Sequence, residues 1–138
     1  MASKYNHEGY YYPTAYYAIQ RIELEQAKSR FRPLVYICSP YSGNIYDNVL
    51  KARKYSRFAV DSKYIPITPH LFFPQFMDDS TPDERELAML MNRALLSKCY
   101  ELWVFGSRIS SGMNQEIKRA MHKRMKIRYF TEELEELR

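Results

Sequence analysis

The sequence predicts an α/β fold: a small three-layer sandwich with helices on both faces of a parallel sheet of four or five strands. Three observations carry this expectation. Leu34 to Cys38 and Leu102 to Phe105 are short, unbroken apolar runs, the mark of strands buried on both faces. Each is followed by a polar turn and then by residues at helical spacing. Strands that alternate with helices pair in parallel through right-handed crossovers. The expected arrangement is Rossmann-like or flavodoxin-like, preceded by an N-terminal helical arm.

The elements follow in order. Pro13-Thr14 opens a helical stretch to about Ser29, since proline fits the first turn of a helix. Ala15, Ala18, Ile19, Ile22 and Gln26 trace its less polar face, and Arg32-Pro33 breaks it. The strand Leu34 to Cys38 runs into the turn Ser39 to Asn44. Asn44 or Asp47 caps the next helix, which carries Val49, Ala52, Arg53, Phe58 and Ala59 to about Ser62. Tyr64 to Thr68 is a second strand, and Pro66 and Pro69 place it at a sheet edge.

His70 to Phe76 reads as an apolar loop or short helix. The turn Asp78 to Pro82 caps a helix to about Lys98, with Leu87, Leu90, Met91, Ala94 and Leu95 as its expected buried stripe. Glu101 to Phe105 is the third strand, and a helix from Gly112 to Lys123 follows. Ile127 to Phe130 is a fourth strand, and Thr131 to Leu137 is expected to close the chain as a capped helix.

With 138 residues and 46% apolar content, one packed core is expected. The division is residues 1–32 as a tyrosine-rich arm and helix, then residues 33–138 as the α/β domain. No apolar run approaches the ~20 residues of a membrane span. The first nine residues carry no apolar signal region, so cytoplasmic residence is expected. Cys38 and Cys99 read as reduced, buried small residues, and two Cys with scattered His are too few for a metal site. No metal and no cofactor are expected.

The net charge is +5, with basic residues clustered at Lys51, Arg53, Lys54 and Arg57 and from Lys118 through Arg128. Lys51, Lys54 and Arg57 are spaced as one outer helical stripe. No nucleic-acid motif accompanies the charge, so a nucleic-acid partner is not expected. Six of the thirteen tyrosines lie in the first seventeen residues. Tyrosine couples an apolar body to a polar tip, which suits docking on the same domain or on a neighbouring subunit. A homo-oligomer is therefore expected.

In an open α/β sheet, ligands bind outside the carboxyl ends of the strands. The loops predicted there hold Ser39, Pro40, Tyr41, Ser42, Gly43 and Asn44, with Tyr36 on the strand beneath. They also hold Thr68 and His70, then Gly106, Ser110, Gly112 and Met113, with Glu116 one turn into the following helix. Asn92 and Arg85 lie on one face of the intervening helix. A carboxylate near a helix N-terminus is favoured in its ionised form, which suits a nucleophile. Hydroxyls and backbone N–H groups at a helix start suit a phosphate.

Taken in order, these segments resemble a known family. Val35-Tyr36-Ile37-Cys38-Ser39-Pro40 resembles the opening strand and loop of nucleoside 2-deoxyribosyltransferases and of the related 2′-deoxynucleoside 5′-monophosphate N-glycosidases. Thr68-Pro69-His70 is similar to the Thr-Glu-His segment of the glycosidases. Ser111 to Ile117 resembles the Ser-Gly-Thr-Ala-x-Glu-Ile signature that carries the nucleophilic glutamate. The likeness spans about Leu34 to Phe130 and is nearest to an uncharacterised, often phage-associated branch.

The resemblance implies that Glu116 attacks the anomeric carbon of a deoxyribose as the base leaves, by way of an oxocarbenium-like transition state. It implies that Tyr36 positions Glu116 and the sugar, and that Ser39, Ser42 and Gly43 hold the sugar 5′ end or a 5′-phosphate. Two positions depart from the family. Asn92 stands where an aspartate helps protonate or orient the leaving base, and Ser110 replaces the aspartate that opens the signature loop. An amide cannot donate a proton as a carboxylic acid does. His70 is the substitute acid, because its unperturbed pKa is ~6.5. The alternative is a nucleotide-binding protein on the same fold that does not turn its ligand over.

Overall fold

The computed structural model describes residues 13–138, apart from the side chains of residues 28 and 29. The chain divides between Arg32 and Pro33 into two units. The first contributes α1, Pro13–Ser29, with Pro13 at its start as expected. Within it Gln20 Nε2 donates to Tyr16 Oη one turn away, at 3.0 Å. The expected tyrosine arm at Tyr5, Tyr10, Tyr11 and Tyr12 lies outside the described residues.

The second unit runs β1 (Leu34–Cys38), α2 (Ile45–Asp61), β2 (Ile65–Ile67), α3 (Pro82–Leu96), β3 (Glu101–Phe105), α4 (Ser111–His122), β4 (Lys126–Phe130) and β5 (Glu136–Leu137). The sheet order is β2-β1-β3-β4-β5. The first four strands are parallel, with Tyr36 opposite Leu102 and Phe105 opposite Phe130. β2 occupies an edge, where its Pro66 removes no ladder bond that a central strand needs.

Strand side chains alternate between faces, and this decides what meets what. On one face Val35, Ile37, Trp103, Phe105 and Phe130 pack with Tyr55 and Ala59 of α2. On the other, Tyr36, Cys38, Leu102 and Val104 pack with Leu96 of α3 and with Met113, Ile117 and Ala120 of α4. The third position of β1, Tyr36, therefore points its phenol toward α4.

The helix starts are capped by side chains. Asn44 Oδ1 accepts from the Asp47 N–H at 3.2 Å, and Thr81 Oγ1 accepts from that of Glu84 at 3.4 Å. Ser110 Oγ accepts from Met113 N–H at 3.2 Å. Of the two caps expected for α2, Asn44 fills the position and Asp47 lies in the first turn.

Two expectations are corrected. The closing segment is not a helix. Thr131 starts a turn in which its N–H reaches the Glu135 carbonyl at 2.9 Å, Leu134 takes a φ of 71°, and β5 returns antiparallel to β4. Seven residues make a marginal helix alone. The turn instead packs Leu134 against the core and brings Glu136 onto Arg128, with contacts of 2.7 and 2.9 Å.

The buried stripe of α3 is also rotated from its expected position. Leu87 and Leu90 are 47% and 58% exposed, whereas Leu96 is buried. The helix turns Arg85, Ala88 and Asn92 inward because that side borders a cavity rather than packed core.

The expected outer stripe on α2 is exposed, and its cations find oxygen partners. Lys51 pairs with Asp47 and Glu132 at 3.2 Å each, Lys54 Nζ donates to the Glu132 carbonyl at 2.7 Å, and Arg57 pairs with Asp61 at 3.0 Å. Residues 70–76 form two 3₁₀ turns, Pro69–Leu71 and Phe73–Gln75, each begun with help from a proline. No described helix is long and apolar enough to cross a membrane.

Candidate active site

The loops after β1, β2 and β3 and the inner faces of α3 and α4 enclose a cavity of about 930 Å³. Ser39, Tyr41, Ser42, His70, Arg85, Asn92, Ser110, Gly112, Met113 and Glu116 all line it. Other residues singled out from the sequence do not. Tyr36 is buried on β1 among the core residues facing α4. Pro40 and Gly43 belong to the same loop but do not line the cavity. Gly43 has a φ of 97°, a region that favours glycine, and a side chain there would meet Arg108 Nη2 at 3.7 Å. Thr68 also lies off the cavity: its hydroxyl shares a 2.7 Å hydrogen bond with Ser56 of α2.

Glu116 is the electrostatic centre. Burial pushes its carboxyl up to about 7, while the nearby Cys38 thiol and Tyr36 phenol favour the charged form. Both neighbours stay protonated: burial raises each of them, and the Glu116 charge adds to the effect. They are thus donors beside a carboxylate, not competing anions. Cys38 Sγ also points at the Met113 carbonyl at 3.9 Å. Cys38 and Cys99 are both free thiols. Among the described residues, no three His, Cys, Asp or Glu side chains gather as a metal site.

His70 stacks on Tyr41, with ring centroids 5.1 Å apart at 29°. Burial lowers its pKa, against the opposing influence of the Ser39 backbone and of Asp79. The imidazole is therefore neutral at pH 7. Arg85 Nε and Nη2 donate to the Asp79 carbonyl at 3.3 and 3.2 Å, which holds that guanidinium at the cavity mouth.

Four buried side-chain oxygens among the described residues have no hydrogen-bond partner: Tyr36 Oη, Ser39 Oγ, Asn92 Oδ1 and Glu116 Oε2. Three belong to cavity-lining residues and the fourth stands beside Glu116. An unsatisfied buried polar group costs ~1–3 kcal/mol. Their convergence on one place marks a site shaped for a polar ligand rather than for stability.

Sequence reasoning missed several lining residues. Phe73, Pro74 and Met77 form an apolar wall, and Asp79 and Glu84 add carboxylates near the start of α3. Arg93, Lys118, Arg119 and His122 extend the lining toward the C-terminal ends of α3 and α4. Arg119 was within reach of the pattern, because Gly112, Glu116 and Arg119 recur at helical spacing on one face. The wall after His70 carried no such periodic signal.

The fold is shared with the 2-deoxyribosyltransferase of the psychrotolerant bacterium Bacillus psychrosaccharolyticus. The two align with a TM-score of 0.61 over 71% of this chain and 72% of that one, at 11% sequence identity. That likeness is one of architecture. No curated protein sequence matches the chain. Residues 33–130 match the family described as a domain of unknown function (DUF7768), and the protein belongs to that family.

Proposed function

We propose that the protein cleaves or transfers the N-glycosidic bond of a nucleoside or nucleotide, with Glu116 as nucleophile. The observation that carries this reading is the Glu116 carboxyl at the edge of the cavity. One of its oxygens is buried and unpartnered, with Tyr36 beside it, on an architecture shared with a 2-deoxyribosyltransferase.

In the first step a Glu116 oxygen forms a bond to the anomeric carbon, and the bond from that carbon to the base nitrogen breaks with its electron pair. The released nitrogen takes a proton. In the second step water, or the nitrogen of another base, attacks the same carbon, the bond to the Glu116 oxygen breaks to return the carboxylate, and the attacking group gives its proton back to the donor of the first step. Tyr36 holds the carboxylate in line. Ser39, Ser42 and the Gly43 turn hold the sugar end that lies toward β1. Ser110 caps α4, and with Gly112 and Met113 it sets the height of Glu116 above the sheet.

His70 is the candidate proton donor where the resemblance to deoxyribosyltransferases implies a carboxylic acid. Because burial favours its neutral form, it donates only from a minor protonated fraction. That limits the rate at neutral pH.

A second reading rests on a specific observation. Asn92 presents an unpaired Oδ1 toward the cavity, and an amide is no acid. A protein that binds a nucleotide without releasing its base fits that residue as well. Residues 1–32 are assigned to an arm through which copies of the chain associate, by virtue of their tyrosine content.

Chromatography of deoxynucleosides and deoxynucleoside 5′-monophosphates after incubation with wild type and Glu116→Ala separates the readings. Glu116-dependent base release supports catalysis. Thermal stabilisation by a nucleotide without release supports the binder. Absence of both sets aside the nucleoside assignment.

A further inference from the structure

The cavity does not end at Glu116. Its lining continues along α4 through Lys118 and Arg119 to His122, and along α3 through Arg93. At 1.5 Å per residue, Glu116 to His122 spans roughly 9 Å of helix. The carboxylates of the wall sit at the opposite end, where Asp79 contacts Arg85 at 3.9 Å and Glu84 lies in the first turn of α3.

Arg93, Lys118 and Arg119 make no ion pair within the described residues, whereas Lys51, Arg57 and Arg128 all do. The run continues past the cavity: Lys118 to Lys126 holds five Lys and Arg and no Asp or Glu. Cations without an ion pair therefore line the cavity between the C-terminal halves of α3 and α4. A one-signed patch at a cavity mouth attracts the opposite charge.

We infer that the ligand carries a phosphate-bearing extension beyond the unit placed at Glu116, and that this extension lies along Arg93, Lys118 and Arg119. The inference rests on the nucleoside or nucleotide reading above and adds a ligand class to it. The same chemistry is offered by a nucleoside polyphosphate, a nucleoside bisphosphate and the end of an oligonucleotide.

The test is thermal-shift titration of wild type and of the Lys118→Glu/Arg119→Glu variant at roughly 50 and 200 mM salt. The ligands are a deoxynucleoside, its 5′-monophosphate, its 5′-triphosphate, its 3′,5′-bisphosphate and a 5′-phosphorylated trinucleotide, with each base. At least one extended ligand is expected to bind wild type about tenfold or more tighter than the monophosphate, the scale of one charge-assisted contact. That advantage should shrink with salt and vanish in the variant, while the affinity of the bare nucleoside stays the same and reports an intact fold. The extended ligand that gains names the source of the phosphate.

Equal affinity for extended and unextended ligands overturns the inference and leaves the nucleoside reading standing. So does an advantage that survives the charge reversal. Binding by no member of the panel overturns both.

Discussion

The Tyr36 phenol of β1 stands beside the Glu116 carboxyl of α4, and each carries a buried oxygen that no hydrogen bond satisfies. A structure built only for stability would have satisfied both groups or replaced them with apolar side chains.

Replacing Glu116 with Gln is expected to abolish base release and to stabilise the fold above neutral pH. The native carboxyl is raised from its ordinary value to about 7 by burial. The folded state thus binds more protons than the unfolded one across the interval between those values. Wild-type stability therefore falls as pH rises through it, by roughly 3 kcal/mol. The amide has no such slope. Melting temperatures of wild type and Glu116→Gln measured from pH 5 to pH 8 should diverge with rising pH, and parallel curves would contradict the burial of this group.

Activity should follow the same ionisation. A nucleophilic carboxylate must be deprotonated, so kcat/KM is expected to rise through about pH 7. A profile already flat at pH 5 would exclude Glu116 as the titrating group.

Tyr36→Phe removes a donor beside the carboxylate. The expected result is a loss of roughly 10–100-fold in kcat/KM, the scale of one charge-assisted hydrogen bond. The ascending limb of the pH profile should also move upward, because the charged form loses support. A lower rate with an unmoved limb would mean that Tyr36 acts on the sugar alone.

Asn92→Asp places a carboxylic acid where the proposed reaction would use one. Base release should increase, toward the ~10²–10⁴-fold that general acid catalysis contributes. Chromatographic assay beside wild type decides this, and an unchanged or lower rate would show that another group already protonates the leaving base.

Gly43→Ala is expected to destabilise the domain by ~1–3 kcal/mol, because alanine at a φ of 97° is strained. Denaturant titration measures it. A neutral result would mean that the loop bearing Ser42 can take another conformation.

The strands were legible from the sequence because their signal is local. Leu34 to Cys38 and Glu101 to Phe105 are unbroken apolar runs, and the structure forms β1 and β3 over those same residues. Asn44 and the turn holding Thr81 could be read as helix starts because a cap is a short-range bond. The order of the loops followed from strand–helix alternation, and with it the place of Ser39, His70 and Glu116 on one cavity.

The last segment misled because Thr131 to Leu137 has helical composition. What decided it was the pairing of β5 with β4 and the contact of Arg128 with Glu136, both made with a strand already in place. The rotation of α3 was hidden for a related reason. Apolar periodicity assumes that the inward face meets core, and here much of it meets a cavity lined by Asn92 and Arg93.

By itself, then, the sequence determined the α/β class, the strand order along the chain and the glutamate at the head of α4. Tertiary structure alone decided that the Tyr36 phenol, the Cys38 thiol and the Glu116 carboxyl share one desolvated place, that burial favours the neutral form of His70, and that Arg93, Lys118 and Arg119 line the cavity. The physical reason is that periodicity and capping act over a few residues. Desolvation and charge pairing depend on which side chains the fold brings together, and no local pattern records that.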